Sequence, residues 1–377
     1  MTRILPGRQA PRRKAIAAGF SLLEVSVAMA VFLVVSATAF TLFSRHESLL
    51  GAEQGIAGLN IGLRNALSQI QIDVVNAGSG VIQGPQIPAW PVGVTIINSN
   101  PSSACNVTTT NPPQYTATCF DTLNVVMVDA NTPPLSPSNS CSGASFDTTA
   151  GTPLVGTVPA VINPATGLNW TTAQVAARFV TGDQILFMSG TVTGTTYPYT
   201  TALLTAAGAT NASPAGVKLT FTPTLAGGAN NASNDPISMT TAAPAGDLTN
   251  LYCAQDFVLR LLPIQYTVSV TNTADPQLVR KQAGVTNAVM DQVIGFKVGA
   301  ATWNNTLFIS NFNYDYLASD YLNDFTLVRS VRVTIIGRTA PSTDPNYHYR
   351  NPFDLGAYQI RGSSIVVDPR NLTMGND

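Results

Sequence analysis

From Phe20 to Phe43 the chain reads FSLLEVSVAMAVFLVVSATAFTLF, 24 residues with a single charge, Glu24. At a rise of about 1.5 Å per residue such a run forms a helix of about 36 Å, long enough to cross the roughly 30 Å hydrocarbon core of a bilayer. Arg3, Arg8, Arg12, Arg13 and Lys14 precede it with no acidic residue among them. A basic flank ahead of an apolar span stays in the cytoplasm and sends the remainder outward. The expected chain is therefore anchored in a membrane by one pass, with its body on the far side.

Three readings of this segment compete. A secretory signal peptide would use the basic residues, the apolar stretch and the small-x-small site at Ala37-Thr38-Ala39. Glu24 interrupts its apolar region, and the surroundings of Arg12-Arg13 fit a twin-arginine signal poorly. A plain anchor would leave Glu24 incidental. A carboxylate in a bilayer costs a few kcal/mol on insertion scales, although near the helix start it meets the favourable end of the helix dipole. The third reading uses all the odd features together. Gly19-Phe20-Ser21-Leu22-Leu23-Glu24-Val25, behind a short basic leader, resembles the class III signal of type IV prepilins. That resemblance implies cleavage by a prepilin peptidase between Gly19 and Phe20, N-methylation of the new Phe20 amine, and a helix that serves first as anchor and then as filament core. It also implies that Glu24 pairs with the terminal amine of a neighbouring subunit and so sets the axial register of otherwise uniform helices. A buried charge is tolerable when paired and costly when alone. The absence of proline from Phe20 to Phe43 departs from many major pilins and points to a minor subunit.

Beyond the apolar run, Ile56, Leu59, Leu63, Leu67, Ile70 and Val74 recur at 3-4-4-3-4 spacing, the stripe of an amphipathic helix laid on a globular head. Gly51, Gly55, Gly58 and Gly62 repeat on another face, either a weak helix or a smooth packing surface. Gly78 and Gly80 are natural terminators after Asn76-Ala77. The expected organisation is a leader over 1–19, a helix over 20–77 (apolar to 43, amphipathic from 44), and a β-rich head over 78–377. Within the head, short β-branched runs predict strands at Thr122–Val128, Gln184–Met188, Val217–Phe221, Phe257–Val270, Val293–Val298 and Phe325–Ile336. Asn131–Gly167 and Leu225–Asn250, rich in small and polar residues, read as loop insertions. The fold class is α+β.

The order of features in the head resembles PilW-like minor pilins: Thr181-Gly182-Asp183 before a strand, Tyr266 in a later strand before Leu278-Val279-Arg280-Lys281, then Val293–Val298, Val331-Arg332-Val333 and a terminal Ile365–Asn371. The J-type pseudopilins of type II secretion share much of that plan. The resemblance implies a subunit that primes or caps pilus assembly, with a secretion pseudopilin or a pilus-tip adhesin as alternatives. Implied partners are other minor pilins, a major pilin, the inner-membrane assembly platform and the prepilin peptidase, and the implied destination is a pilus or pseudopilus at the cell surface.

Only 10% of residues are charged, well under the roughly 25% of typical soluble domains. Once the five leader cations are set aside, 14 Lys and Arg face 20 Asp and Glu. That negative body lacks the basic footprint nucleic acid demands. Cys105, Cys119, Cys141 and Cys253 form no C-x-x-C, and His46 and His348 are the only histidines, so no metal site is expected. Four cysteines in an exported chain predict two disulfides, with Cys105–Cys119 favoured by proximity in sequence. No hydrolase, metalloprotease, nucleotide-loop or dinucleotide signature occurs, so neither an enzyme nor a bound cofactor is expected. Asp315, Asp320 and Asp324 lack EF-hand spacing and read as a solvated acidic face. Tyr314, Tyr316 and Tyr321 read as core packing.

Overall fold

The computed structural model of the chain describes residues 21–80, 93–97, 112–138, 146–147, 154–190, 199–223, 251–303, 308–309, 328–343, 347 and 349–373. The chain forms two compact units, Met1–Glu53 and Gln54–Asp377.

The first unit is helical. Helix α1 spans Leu22–Val75 and so begins in this unit. Leu22, Phe32, Leu33, Phe40 and Phe43 are all exposed, Leu22 at 88%.

In the second unit the same helix is two-faced. Leu59, Leu63, Leu67, Ile70 and Val74 are buried, whereas Ile61 and Ile72 face outward, as a 3.6-residue period requires. The helix ends at Val75, and Gly78 and Gly80 follow at φ +70° and +82°, left-handed values that glycine adopts without steric cost. The turn is tied down at once. The Gly78 N–H donates to Val126 O at 2.8 Å, and the Val128 N–H to Ser79 O at 2.9 Å. Of the four helical glycines, Gly55 packs on Thr339 and Gly62 on Met290, while Gly51 and Gly58 face open space. The four therefore do not form one continuous packing surface.

The head is antiparallel throughout its described strands. Its largest sheet runs β1 (Gly93–Ile97), β2 (Thr122–Val128), β12 (Phe257–Ser269), β6 (Gln184–Met188), β7 (Tyr199–Leu204) and β10 (Phe221–Pro223). The hairpin β13 (Gln277–Gln282) and β14 (Val285–Met290) joins it along β12. A second sheet orders β16 (Phe308–Ile309), β15 (Val293–Trp303), β17 (Val328–Arg338) and β18 (Ile360–Val367). A third orders β3 (Ser136–Pro137), β5 (Leu154–Thr157), β9 (Ala215–Leu219) and β8 (Ala209–Ala212), and β4 (Phe146–Asp147) pairs with β11 (Leu251–Tyr252). The short helices α2 (Thr172–Ala176) and α3 (Arg370–Thr373) complete the described elements. Thr171 and Gln174 form a capping box at the start of α2.

Strand β12 organises the head. Its first residues pair with β6 and its last with β13, while β2 runs along the other edge. Pro263 falls where β6 has stopped and β13 has not begun, so its missing N–H forfeits no ladder bond on that edge. The partner switch coincides with a change of core. Val258 belongs to a cluster with Leu135, Leu154, Phe179, Phe187, Phe221 and Tyr252. Ile264, Tyr266 and Val268 belong to a larger one with the helix stripe, β15 and β17. Arg260, at the junction, donates to Asp129 (2.6 Å) and Asp183 (2.7 Å), both almost fully buried.

Two expectations are corrected. Residues 131–167 are not a plain insertion: β3 and β5 lie within them, and Leu135 and Leu154 are buried in the second core. Pro, Ser and Thr disguise strands only two and four residues long. The strand expected over Val217–Phe221 is two strands in different sheets, β9 against β5 and β10 against β7, with a corner held by the Thr205 N–H on Thr220 O at 2.9 Å. The 225–250 segment lies outside the described residues.

Candidate functional site

The first half of the N-terminal helix is apolar and exposed. Its hydroxyls bond back onto the helix: Ser26 Oγ donates to Leu22 O (3.0 Å), Thr38 Oγ1 to Val35 O (2.8 Å) and Thr41 Oγ1 to Ala37 O (2.8 Å). Side chains satisfied this way need no water. Among the described residues, this helix alone is long and apolar enough to cross a membrane.

Its first turn holds Glu24. The Ser21 N–H donates to Glu24 Oε2 at 3.1 Å, and the Glu24 N–H donates to Ser21 Oγ at 3.2 Å. This reciprocal capping box satisfies two of the amide donors that every helix start leaves orphaned. The sequence reading treated Glu24 as the single odd charge and missed the motif, although Ser-x-x-Glu ahead of an apolar run is its signature. Gly19 and Phe20 lie outside the described residues. His46 is exposed on α1.

Within the head, the helix is keyed to the sheet by a charge that periodicity did not reveal. Asp73 is almost fully buried. It accepts from Arg280 Nε at 2.7 Å and Nη2 at 3.3 Å, and from the Tyr266 hydroxyl. Burial, then the Asp73 bond, push the Tyr266 phenol up, so it remains a donor. Burial alone would lower the Arg280 guanidinium, but Asp73 outweighs it and the net direction is up. The signal available was weak: Asp73 stands three residues after Ile70, at the margin of the apolar stripe. Beside this pair, Asn65, Gln69, Arg280, Asn287, Ala288 and Val289 line an open cleft of about 410 Å³.

Cys119 and Cys253 are both disulfide-bonded. Cys105 and Cys141, and with them the pairing expected for Cys105 with Cys119, lie outside the described residues. So do His348, Asp315, Asp320, Asp324, Tyr314, Tyr316 and Tyr321.

These features define a protein with a long N-terminal helix, apolar and exposed over its first half, and an antiparallel β-rich head. No family model matches the chain, and no curated protein matches it. Among solved structures it is similar to a type IV-like pilin from Thermus thermophilus, at 12% identity over 53% of this chain and 94% of that one, with a TM-score of 0.18. At that score the likeness decides nothing about this chain.

Proposed function

We propose that this protein is a type IV pilin-like subunit of the minor class, made as a precursor and cut by a prepilin peptidase between Gly19 and Phe20. The observation that carries the reading is Gly19-Phe20-Ser21-Leu22-Leu23-Glu24, standing directly at the head of an exposed apolar helix that ends in an antiparallel head. The leader remains in the cytoplasm, the helix crosses the inner membrane, and the head lies in the periplasm. Cleavage leaves a cationic Phe20 amine. The Glu24 carboxylate, one turn along, pairs with the equivalent amine of a neighbouring subunit as the helix leaves the bilayer for a filament. The head primes or caps that filament alongside other minor pilins, the major pilin and the assembly platform. Its role is structural rather than catalytic.

Mass spectrometry of the N-terminal peptide, taken from protein extracted from its native envelope, tests this. An N-methylated Phe20 start is the expected result. A start at Phe40 would mean an ordinary signal peptide, and an intact Met1 a plain anchor; either would sink the proposal.

A further inference from the structure

Between β17 and β18 the chain carries a loop whose construction is at odds with its surface. Phe353 is 80% exposed and Leu355 68% exposed, yet the backbone that displays them is firmly held. The fully buried Asn351 accepts from the Phe353 N–H (2.9 Å) and the Asp354 N–H (3.2 Å), and donates to Gly356 O (3.3 Å). Asp354 accepts from the Gly356 N–H at 2.9 Å and from the Tyr358 hydroxyl. The Tyr358 ring, buried, lies 5.3 Å from the guanidinium of Arg338. Arg338 is itself 1% exposed, donating to Gln292 Oε1 (2.7 Å), Ala274 O (2.9 Å) and Pro113 O (3.3 Å). On this base Leu355 adopts φ +59°, a left-handed conformation that costs a leucine energy and persists only where its surroundings impose it. A loop so constrained holds two large apolar side chains out in water.

The chain itself indicates what covers them. Both ends of the loop meet where the Thr339 N–H donates to Gln359 O at 2.8 Å, and Thr339 packs on Gly55 of α1. Gly55 is twelve residues beyond Phe43 in the same helix, about 18 Å at helical rise. Thr339, at the base of the loop, is thus joined through Gly55 to the apolar span by a short covalent tether. Exposed Arg350 donates to Leu355 O at 3.4 Å, Arg361 is exposed at the start of β18, and half-buried Tyr347 and Tyr349 form an edge-on pair 6.0 Å apart. Aromatic rings with a polar tip, apolar side chains and cations are the combination that lipid headgroups select.

We propose that Tyr347 and residues 349–361 form a bilayer-contact surface, with Phe353 and Leu355 inserted at the headgroup level of the membrane that the helix crosses and Arg350 and Arg361 facing anionic lipid phosphates. The inference rests on the reading of the apolar span as a membrane anchor. Its role is to hold the head on the membrane surface before assembly.

The test is Phe353→Trp in the full chain, reconstituted into vesicles of phosphatidylcholine and phosphatidylglycerol. Phe353 is exposed, so the head tolerates the change. The emission added over the parent's three tryptophans is expected to be blue-shifted, to lose most of its intensity to brominated phosphatidylcholine, and to resist aqueous acrylamide. Water-like emission quenched freely by acrylamide, from protein that stays in vesicles at alkaline pH, would overturn the bilayer contact and leave the anchor intact. Protection from both quenchers would assign the loop to a second copy of the chain, again overturning it. Release of the whole protein by alkali would overturn the anchor reading and this inference with it.

Discussion

Glu24 has a capping role and a proposed assembly role, and one substitution can separate them. Gln, like Glu, closes a capping box. Glu24→Gln is therefore expected to leave the helix start intact while removing the charge proposed to meet a neighbour's amine. It should reduce incorporation into filaments to a greater extent than it changes helicity. Glu24→Ala loses the charge and the Glu24 half of the box, while its backbone N–H bond to Ser21 Oγ survives, so its helix cost should not exceed the roughly 0.5–2 kcal/mol of a fully lost N-cap. Circular dichroism of the helix and quantitation of the subunit in sheared filaments check the pair, and equal incorporation of Glu24→Gln and the parent would remove the charge from the assembly mechanism. At Asp73, Asn substitution strands the Arg280 guanidinium in the helix–sheet interface. Breaking a buried pair from one side costs about 3–5 kcal/mol, and chemical denaturation of the full chain should show a loss of that order. Asp129 adds a pH dependence. Burial alone would raise its carboxyl, but hydrogen bonds from Thr132, the Asn131 N–H and Arg260 outweigh it and hold it below the ordinary value. A carboxyl lowered by folding binds its proton more readily in the unfolded chain, so its stabilisation is complete above the unfolded value near 4. That stabilisation is lost as pH falls from there through the folded value. Asp129→Asn should flatten the acid limb of a stability–pH curve in that window, and an unchanged limb would contradict the assignment.

At the scale of elements, the joint between helix and sheet is the sensitive point. A methyl group on Gly80 would lie 2.7 Å from Val128 Cβ, at a backbone φ of +82°. Neither strand β2 nor the turn can relieve both problems, so Gly80→Ala is expected to destabilise by at least the roughly 1 kcal/mol that a left-handed alanine costs. Gly58→Ala, in open space on the same helix, should be neutral or slightly stabilising by helix propensity. A thermal melt that ranks the two the other way would refute this account of the joint. The stripe itself was legible because burial against one face imposes a 3.6-residue period, and Leu59, Leu63, Leu67, Ile70 and Val74 obey it. Strands β2 and β6 were legible for the complementary reason, as β-branched and apolar runs bounded by turn residues. The strands β3 and β5 were not, because two to four residues carry too little pattern to stand out from a Pro- and Ser-rich stretch.

At the scale of the molecule, two separate hydrophobic clusters share one long strand, and covalent bonds at Cys119 and Cys253 reinforce them. Reduction under native conditions should lower the stability of the head by about 2–4 kcal/mol per disulfide lost, read as a fall in melting temperature with dithiothreitol. A reduced head that melts as the oxidised one does would show the bonds to be dispensable. The sequence by itself determined the membrane-length helix, its amphipathic continuation, its glycine stop and the antiparallel character of the head, since each follows from a period or a composition written over neighbouring residues. Tertiary structure alone decided that Asp73 meets Tyr266 and Arg280, that Arg260 joins Asp129 to Asp183, and that Asn351, Asp354 and Tyr358 hold Phe353 and Leu355 outward. Each of the two ion-pair clusters brings together residues far apart in the chain. The loop is local in sequence, but its outward pose depends on packing against Arg338 and the carbonyls that anchor it. A pairing across the fold leaves no period behind, because its cause is the three-dimensional arrangement that the rest of the chain creates.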